Sequence, residues 1–313
     1  MRLRIVSAAV ISIALVLLAC LHSGASDTPA QKKENPVSAV SFQYGQPKEL
    51  CLLKDPRINE SSGLAASIGI KDAFWTHNDS GDSARIFLFT KSGETLAMVQ
   101  IKGVKAIDWE DIASFKHGEE GYILIGDVGD NARRRTDAVL YIVREPSIAP
   151  SAATKEALTL EVEPLATIRF SYEDGPRDCE AVAVDSTEST VYLVSKQASE
   201  IKVYSLPISF KEAKQPSVAK AVASLTVPYA TAMDISPDGT HAVVLTYLDA
   251  YEYVRAGGET WAQAFSREPR MIKMPTRRQG ESICYGRDGK TLYLTSENES
   301  QPLWEVSAVD NPF

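Results

Sequence analysis

Residues 107–115, IDWEDIASF, set three carboxylates, Asp108, Glu110 and Asp111, among Trp109, Ile112, Ala113 and Phe115, which are the residues of a packed strand. Carboxylates are rarely sunk into such surroundings unless something positive meets them. Similar segments recur along the chain: SGLAAS from Ser62, EDIASF from Glu110, EAVAVD from Glu180, TAMDIS from Thr231 and ESICYG from Glu281. Each opens on an oxygen-bearing side chain. Brought together, Ser62, Glu110, Glu180, Thr231 and Glu281 offer oxygen donors with neither His nor Cys. That donor set suits a hard cation, and calcium better than zinc. Asp108 and Asp111 are expected beside the ion, not on it. Asp234 is expected to point away, by the two-residue period of a strand.

A second set of residues has the types that phosphoryl transfer uses. His77, Asn78, Asp79 and Asp82 lie in HNDSGDSAR, and Asp127, Asp130, Asn131, Arg133 and Arg134 lie in GDVGDNARRR. Lys196, Tyr247 and Glu297 follow three later strand patterns, and Arg277 and Arg278 precede Glu281. A metal and cations neutralise phosphate oxygens, while a carboxylate orients the attacking water. In that scheme Asp79 or Asp127 positions water and His77 is a further catalytic candidate. Arg133, Arg134, Lys196, Arg277 and Arg278 hold phosphate. Singly, each has a plainer reading: NDSGD and GDVGDN are ordinary hairpin turns, ARRRTD is a solvated loop, and His77 is a surface residue. Only convergence in space raises the chemical reading. No GxSxG elbow, P-loop, HExxH or CxxC pattern is present, so the common hydrolase, NTPase and zinc classes gain no support.

The elements that must position these groups are strands. FWTHND, RIFLFT, TLAMVQI, GYILIGDV, AVLYIV, TVYLVSK, IKVYSL, HAVVLTY and TLYLTSE alternate or run β-branched. The one helix-like piece, residues 229–233, is weak. The repeated segments start 48, 70, 51 and 50 residues apart. A period near fifty residues in a strand-rich chain predicts an all-β fold, a five-bladed β-propeller with four strands per blade. Each inner strand opens on its repeated residue, so Ser62, Glu110, Glu180, Thr231 and Glu281 ring the axis at one face. The hairpins between second and third strands open on that same face. The longest interval holds SIAPSAATKEALTLEVE, read as an insertion; six blades, the alternative, would require it to form one. The fifth repeat runs out of chain after LWEVS, and FQYGQPKELCLL is expected to supply its outer strand and close the ring.

The 313-residue chain has a net charge of −8, which argues against nucleic acid as a partner. It begins MRLRIVSAAVISIALVLLAC, two arginines before an apolar run too short to span a bilayer. Leu17-Leu18-Ala19-Cys20 resembles a bacterial lipobox. Residues 1–20 are therefore expected to be a lipoprotein-type signal peptide with Cys20 lipidated, residues 21–41 a flexible tether, and residues 42–313 the propeller. The expected product is a monomer in the periplasm or at the cell surface, touching the membrane through its N-terminal lipid only. Cys51, Cys179 and Cys284 remain, an odd number that permits at most one bridge.

The order Ser, Glu, Glu, Thr, Glu at the heads of five successive repeats resembles the calcium-activated nucleotidase (apyrase) family. That resemblance implies a five-bladed propeller with calcium at its centre, cleaving nucleoside di- and triphosphates. Heads such as Asp178-Cys179-Glu180-Ala181 resemble, more loosely, those of exported propeller phytases. Both imply calcium-dependent hydrolysis of a phosphate ester or anhydride in a phosphorylated small molecule. The alternative is a non-catalytic, envelope-associated binding scaffold with structural calcium. A sugar hydrolase would require two carboxylates facing each other across a cleft.

Overall fold

The computed structural model describes residues 41–148, 157–196, 201–211, 213 and 215–309. The expected signal peptide, Cys20 and residues 21–40 of the tether lie outside them. Among the described residues no helix is long and apolar enough to cross a membrane, and Cys51, Cys179 and Cys284 are free thiols.

Apolar residues that alternate, or run unbroken where both faces are covered, fold as strands here. Ser61–Ala66, Ala73–Asn78, Arg85–Thr90 and Thr95–Ile101 form a first antiparallel group. Trp109–His117, Glu120–Asp127, Ala138–Arg144 and Ala166–Tyr172 form a second. Cys179–Asp185, Thr190–Ser195, Ile201–Pro207 and Ser217–Leu225 form a third. Ala230–Ile235, His241–Thr246, Ala250–Val254 and Arg270–Ile272 form a fourth. Ser282–Tyr285, Leu292–Thr295 and Pro302–Val306 form the last, completed by Lys48–Leu52 from the N-terminal side. That final pairing, Lys48 with Glu305 through Leu52 with Pro302, agrees with the sequence expectation.

Among the described residues the insertion makes no sheet of its own. Leu158–Val162 adds in parallel to Thr95–Ile101 at the outside of the first group. Ala166–Tyr172 also pairs in parallel with Ser217–Leu225 over three residues, so the second and third groups run together as one eight-stranded sheet. The helix expectation needs correction. Residue 230 opens a strand, and the helix among the described residues is Trp261–Phe265, begun by a Thr260–Gln263 capping box. Five residues are too few to show a helical period, which is why the pattern gave no signal there.

The first strands of consecutive groups pack side by side in a cycle, the last against the first. The core is divided to match. Trp75 and Leu88 meet Ile112 and Ile125; Leu140 and Phe170 meet Val182 and Leu193; Val194 and Val203 meet Val244 and Trp261. Val243 and Leu245 meet Ile283 and Leu294, while Tyr293 and Leu303 meet Phe74 and Phe89. Each seam thus belongs to two neighbouring groups, the arrangement of a propeller-like fold. Every side chain so buried contributes roughly 1.5–3 kcal/mol, spread evenly around the cycle.

Polar ties cross the same seams at the axis. The Ser62 hydroxyl donates to Glu110 O at 2.9 Å, Ser114 Oγ to Ala66 O at 2.6 Å, and Thr231 Oγ1 to Gly280 O at 2.8 Å. Asp111, expected beside an ion, ties inner strands together. It is fully buried, and its Oδ2 accepts Val182 N at 2.8 Å and Met233 N at 3.2 Å, while Oδ1 accepts Ile112 N at 2.9 Å. One carboxyl therefore joins three inner strands. Burial pushes its pKa well above the usual range, and those three N–H donors oppose the shift. Asp234 similarly accepts Tyr285 N and Ile235 N, both at 2.8 Å.

Asp111→Ala would leave the Val182 and Met233 N–H groups buried without an acceptor, at about 1–3 kcal/mol each. Urea unfolding should show a loss of about 2–6 kcal/mol; an unchanged midpoint would mean that the inner strands do not depend on this tie.

Candidate metal centre

The repeated residues share one backbone device. Strand register shifts between Ser61 and Gly63, Trp109 and Asp111, Cys179 and Ala181, and Ala230 and Ala232. The residue skipped in each case is Ser62, Glu110, Glu180 or Thr231. A bulge leaves one residue unpaired and re-aims its side chain, so the same bend occurs at the same point of four inner strands. Glu281 stands immediately before the fifth inner strand. All five are buried, with 1–4% exposure.

Asp79, Asp108 and Glu110 bring one carboxylate oxygen each within 4.8 Å of one another. Three such groups could hold a metal ion. Like charges about 4 Å apart repel by roughly 4 kcal/mol at a near-surface dielectric, so full ionisation here needs a counter-charge. Burial raises the Asp108 pKa to about 6, with Asp79 adding to the shift and Arg135 opposing it. Burial likewise holds Glu110 well above the usual range, reinforced by Glu180, Asp79 and Asp108. Asp79 is raised too, by burial and by the charge of Glu281.

The cluster continues around the axis. Lys196 Nζ lies 2.9 Å from Glu180 and 5.3 Å from the centre of the Tyr247 ring. Burial raises Glu180 to about 7, with Lys196 opposing. Burial raises Glu297 to about 9, helped by a hydrogen bond and charge from Glu281. Asp178 accepts Asp130 N at 2.9 Å, and its backbone carbonyl accepts Lys196 N at 3.0 Å. Lys196 is thus a cation set among acids, and its charge also opposes the raised pKa values of Asp79 and Glu110.

Several expected site residues have other work. Asp127 is fully buried; it accepts Ile107 N and Asp108 N, both at 3.2 Å, and pairs with Arg135 at 2.8 Å. It positions Asp108 and is not open to a water. His77 is no surface residue: it is fully buried, edge-on to Trp109 at 5.8 Å, with Nδ1 on Asn78 O at 2.8 Å. Burial lowers its pKa to about 4. Arg277 donates to the carbonyls of Thr246, Leu248 and Pro275, each at 3.1 Å. Arg133, Arg134 and Arg278 are exposed, without an ion-pair partner among the described residues. Asn78 and Asp82 organise the first hairpin, Asn78 through Asn59 N, Glu60 N and Asp82 Oδ2.

Asp108 was expected beside the ion and instead joins the cluster, and Asp178 was missed. Their signal was the D-x-E recurrence, Asp108-Trp109-Glu110 and Asp178-Cys179-Glu180. The glycine of GDVGDN also had a hidden reason. A Cβ on Gly129 would lie 2.1 Å from Glu110 Oε1 and 2.6 Å from Asp108 Oδ2. Backbone must come this close because Val128 N and Gly129 N both donate to Asp108 O, at 3.1 and 3.2 Å.

No protein-family model matches the chain, and no curated protein matches it. Among solved structures it is similar to a chain of a nidogen–laminin complex at 13% identity and TM-score 0.43, covering 76% of this chain and 73% of that one. It is also similar to a luciferin-regenerating enzyme, at 8% identity and TM-score 0.42, covering 84% and 96%. A putative 6-phosphogluconolactonase from Bacteroides uniformis aligns at 14% identity and TM-score 0.38, covering 80% and 68%. Likenesses at these scores carry no function across.

Gly129→Ala should push Glu110 and Asp108 apart while leaving the sheets intact. Divalent-cation affinity by calorimetry is expected to fall about tenfold or more; unchanged affinity in a folded variant would exclude these two carboxylates as joint ligands.

Proposed function

We propose that this chain is an exported, lipid-anchored five-bladed β-propeller that binds calcium at one mouth of its axis. On this reading Asp79, Asp108 and Glu110 are first ligands, and Glu180, Glu281, Ser62 and Thr231 complete or surround the site. The observation that carries it is the meeting of three carboxylates from two sheets within 4.8 Å, in a place where burial resists their charge. Oxygen-only donors favour calcium. Five first strands in a closed cycle support the blade count, and the lipobox-like Leu17-Leu18-Ala19-Cys20 supports export.

We further propose hydrolysis of a phosphate ester or anhydride, nucleotide or phytate-like, at the same mouth. Bound calcium would supply charge neutralisation for phosphate oxygens. Lys196 would hold a second oxygen, and Asp79, half-buried, would orient a water beside the ion. Exposed Arg133, Arg134 and Arg278 would draw the anion in from solution. One observation favours the scaffold reading instead. Asp127, His77 and Arg277 are committed to internal bonds, which removes three groups from the chemistry.

Protons compete with calcium at Asp108 and Glu180, held up to about 6 and about 7. Affinity should therefore rise as pH goes from 5 to 8, with protons released on binding. Calorimetry in buffers of differing ionisation enthalpy measures this, and a pH-independent affinity contradicts it. EDTA should lower the melting temperature, and Glu110→Gln should abolish the difference.

Purified protein with calcium should release phosphate from a nucleotide, phytate or p-nitrophenyl phosphate. Lys196→Met should raise KM about tenfold while calcium binding is kept or tightened. A calcium-loaded protein that cleaves none of these leaves the scaffold reading standing.

A further inference from the structure

The inner strands end at the opposite mouth of the axis, and there they surround a hollow of 380 Å³. All five strand groups contribute to it, through Ala66, Phe115, Val184, Asp234 and Tyr285. A smaller hollow of 170 Å³ adjoins it and shares Ala66, Gly286 and Arg287. The floor is apolar, formed by Phe115, Val184 and Ile235. The rim is cationic: Lys116 and Arg287 line the main hollow, and Lys71 with Arg287 lines the smaller one.

These three cations are exposed, and none forms an ion pair among the described residues. In a chain of net charge −8, most of the other described cations pair with a carboxylate. Two of the three lining acids are already engaged. Asp234 accepts two backbone N–H groups, and Asp288 accepts Lys290 N, Thr291 N and the Thr291 hydroxyl. Asp72 is exposed at the outer edge of the smaller hollow. Ser186, half-buried in the wall, brings a hydroxyl to the same space.

We infer that this hollow is a binding site for a small organic anion with an apolar body, a phosphate, phosphonate or carboxylate group lying between Lys116 and Arg287. Concave sites of a few hundred Å³ with an apolar floor and few polar groups are the usual form of small-molecule pockets. A guanidinium and an ammonium at the rim bind oxyanions by charge-assisted hydrogen bonds. The inference is independent of the acidic mouth: Lys116, Ser186 and Arg287 lie at or past the ends of the inner strands, whereas Glu110, Glu180 and Glu281 stand at their starts.

Phenylphosphonate, which has an aromatic body and a head that resists hydrolysis, is the probe. Isothermal titration of the full chain in EDTA, which leaves the acidic mouth without its ion, should give one site. The Lys116→Gln/Arg287→Gln double variant should bind about tenfold more weakly or worse, with its melting temperature unchanged. Ser186→Trp, which fills the hollow from a turn and not from the core, should bind comparably poorly. Benzylamine, of the same body and opposite charge, should not bind. The inference is overturned if wild-type protein does not bind the probe, if both variants bind like wild type, or if benzylamine binds as well. It is also overturned if Glu110→Gln removes binding, which would move the probe to the acidic mouth.

Discussion

Repulsion among carboxyl groups gathered at the axis is the constraint from which the rest of this structure follows. Asp79, Asp108 and Glu110 face one another at close range, with Glu180, Glu281 and Glu297 continuing the array. Burial deprives them of the water that would otherwise screen them. The fold answers locally with Lys196 against Glu180 and Arg135 against Asp127, and raised pKa values record what remains unanswered. Such a site is strained toward accepting a cation, and its strength derives from the rigidity of what surrounds it.

That rigidity is visible in the backbone. Four bulges at matching points turn side chains inward, and hydroxyls of Ser62 and Thr231 tie each such point to the next sheet. Asp111 binds three inner strands with one carboxyl. Apolar seams between consecutive groups hold the cycle at larger radius. The backbone beneath these side chains is pre-organised, because Ser62, Asp111 and Thr231 cannot move without breaking buried hydrogen bonds.

Residues of catalytic type need not be catalytic. Asp127, His77 and Arg277 have the chemistry for phosphoryl transfer, yet each satisfies or packs against backbone groups that would otherwise be buried unpaired. Hairpins that deliver side chains to a central site have many N–H and C=O groups of their own to satisfy. Charged side chains near them are drawn into that work first. Among the cations left over, Arg133, Arg134 and Arg278 stay exposed, and Lys71, Lys116 and Arg287 line the hollows at the far mouth.

Strand content, the spacing of the repeats, the outer strand contributed from the N-terminal side and the meeting of Glu110, Glu180 and Glu281 near one end of the axis were legible in the sequence. All follow from local alternation and from a period, which a single chain displays without knowledge of contacts. The short helix at Trp261, the strand that the insertion lends to the first group, and the roles of Asp108, Asp111 and Asp127 were decided by tertiary structure. An acid's part depends on which donors its neighbours leave unsatisfied, and those neighbours are supplied by strands tens of residues away. Residue type and spacing determined which groups would reach the axis; only packing determined which of them remained free once the backbone's hydrogen bonds were made.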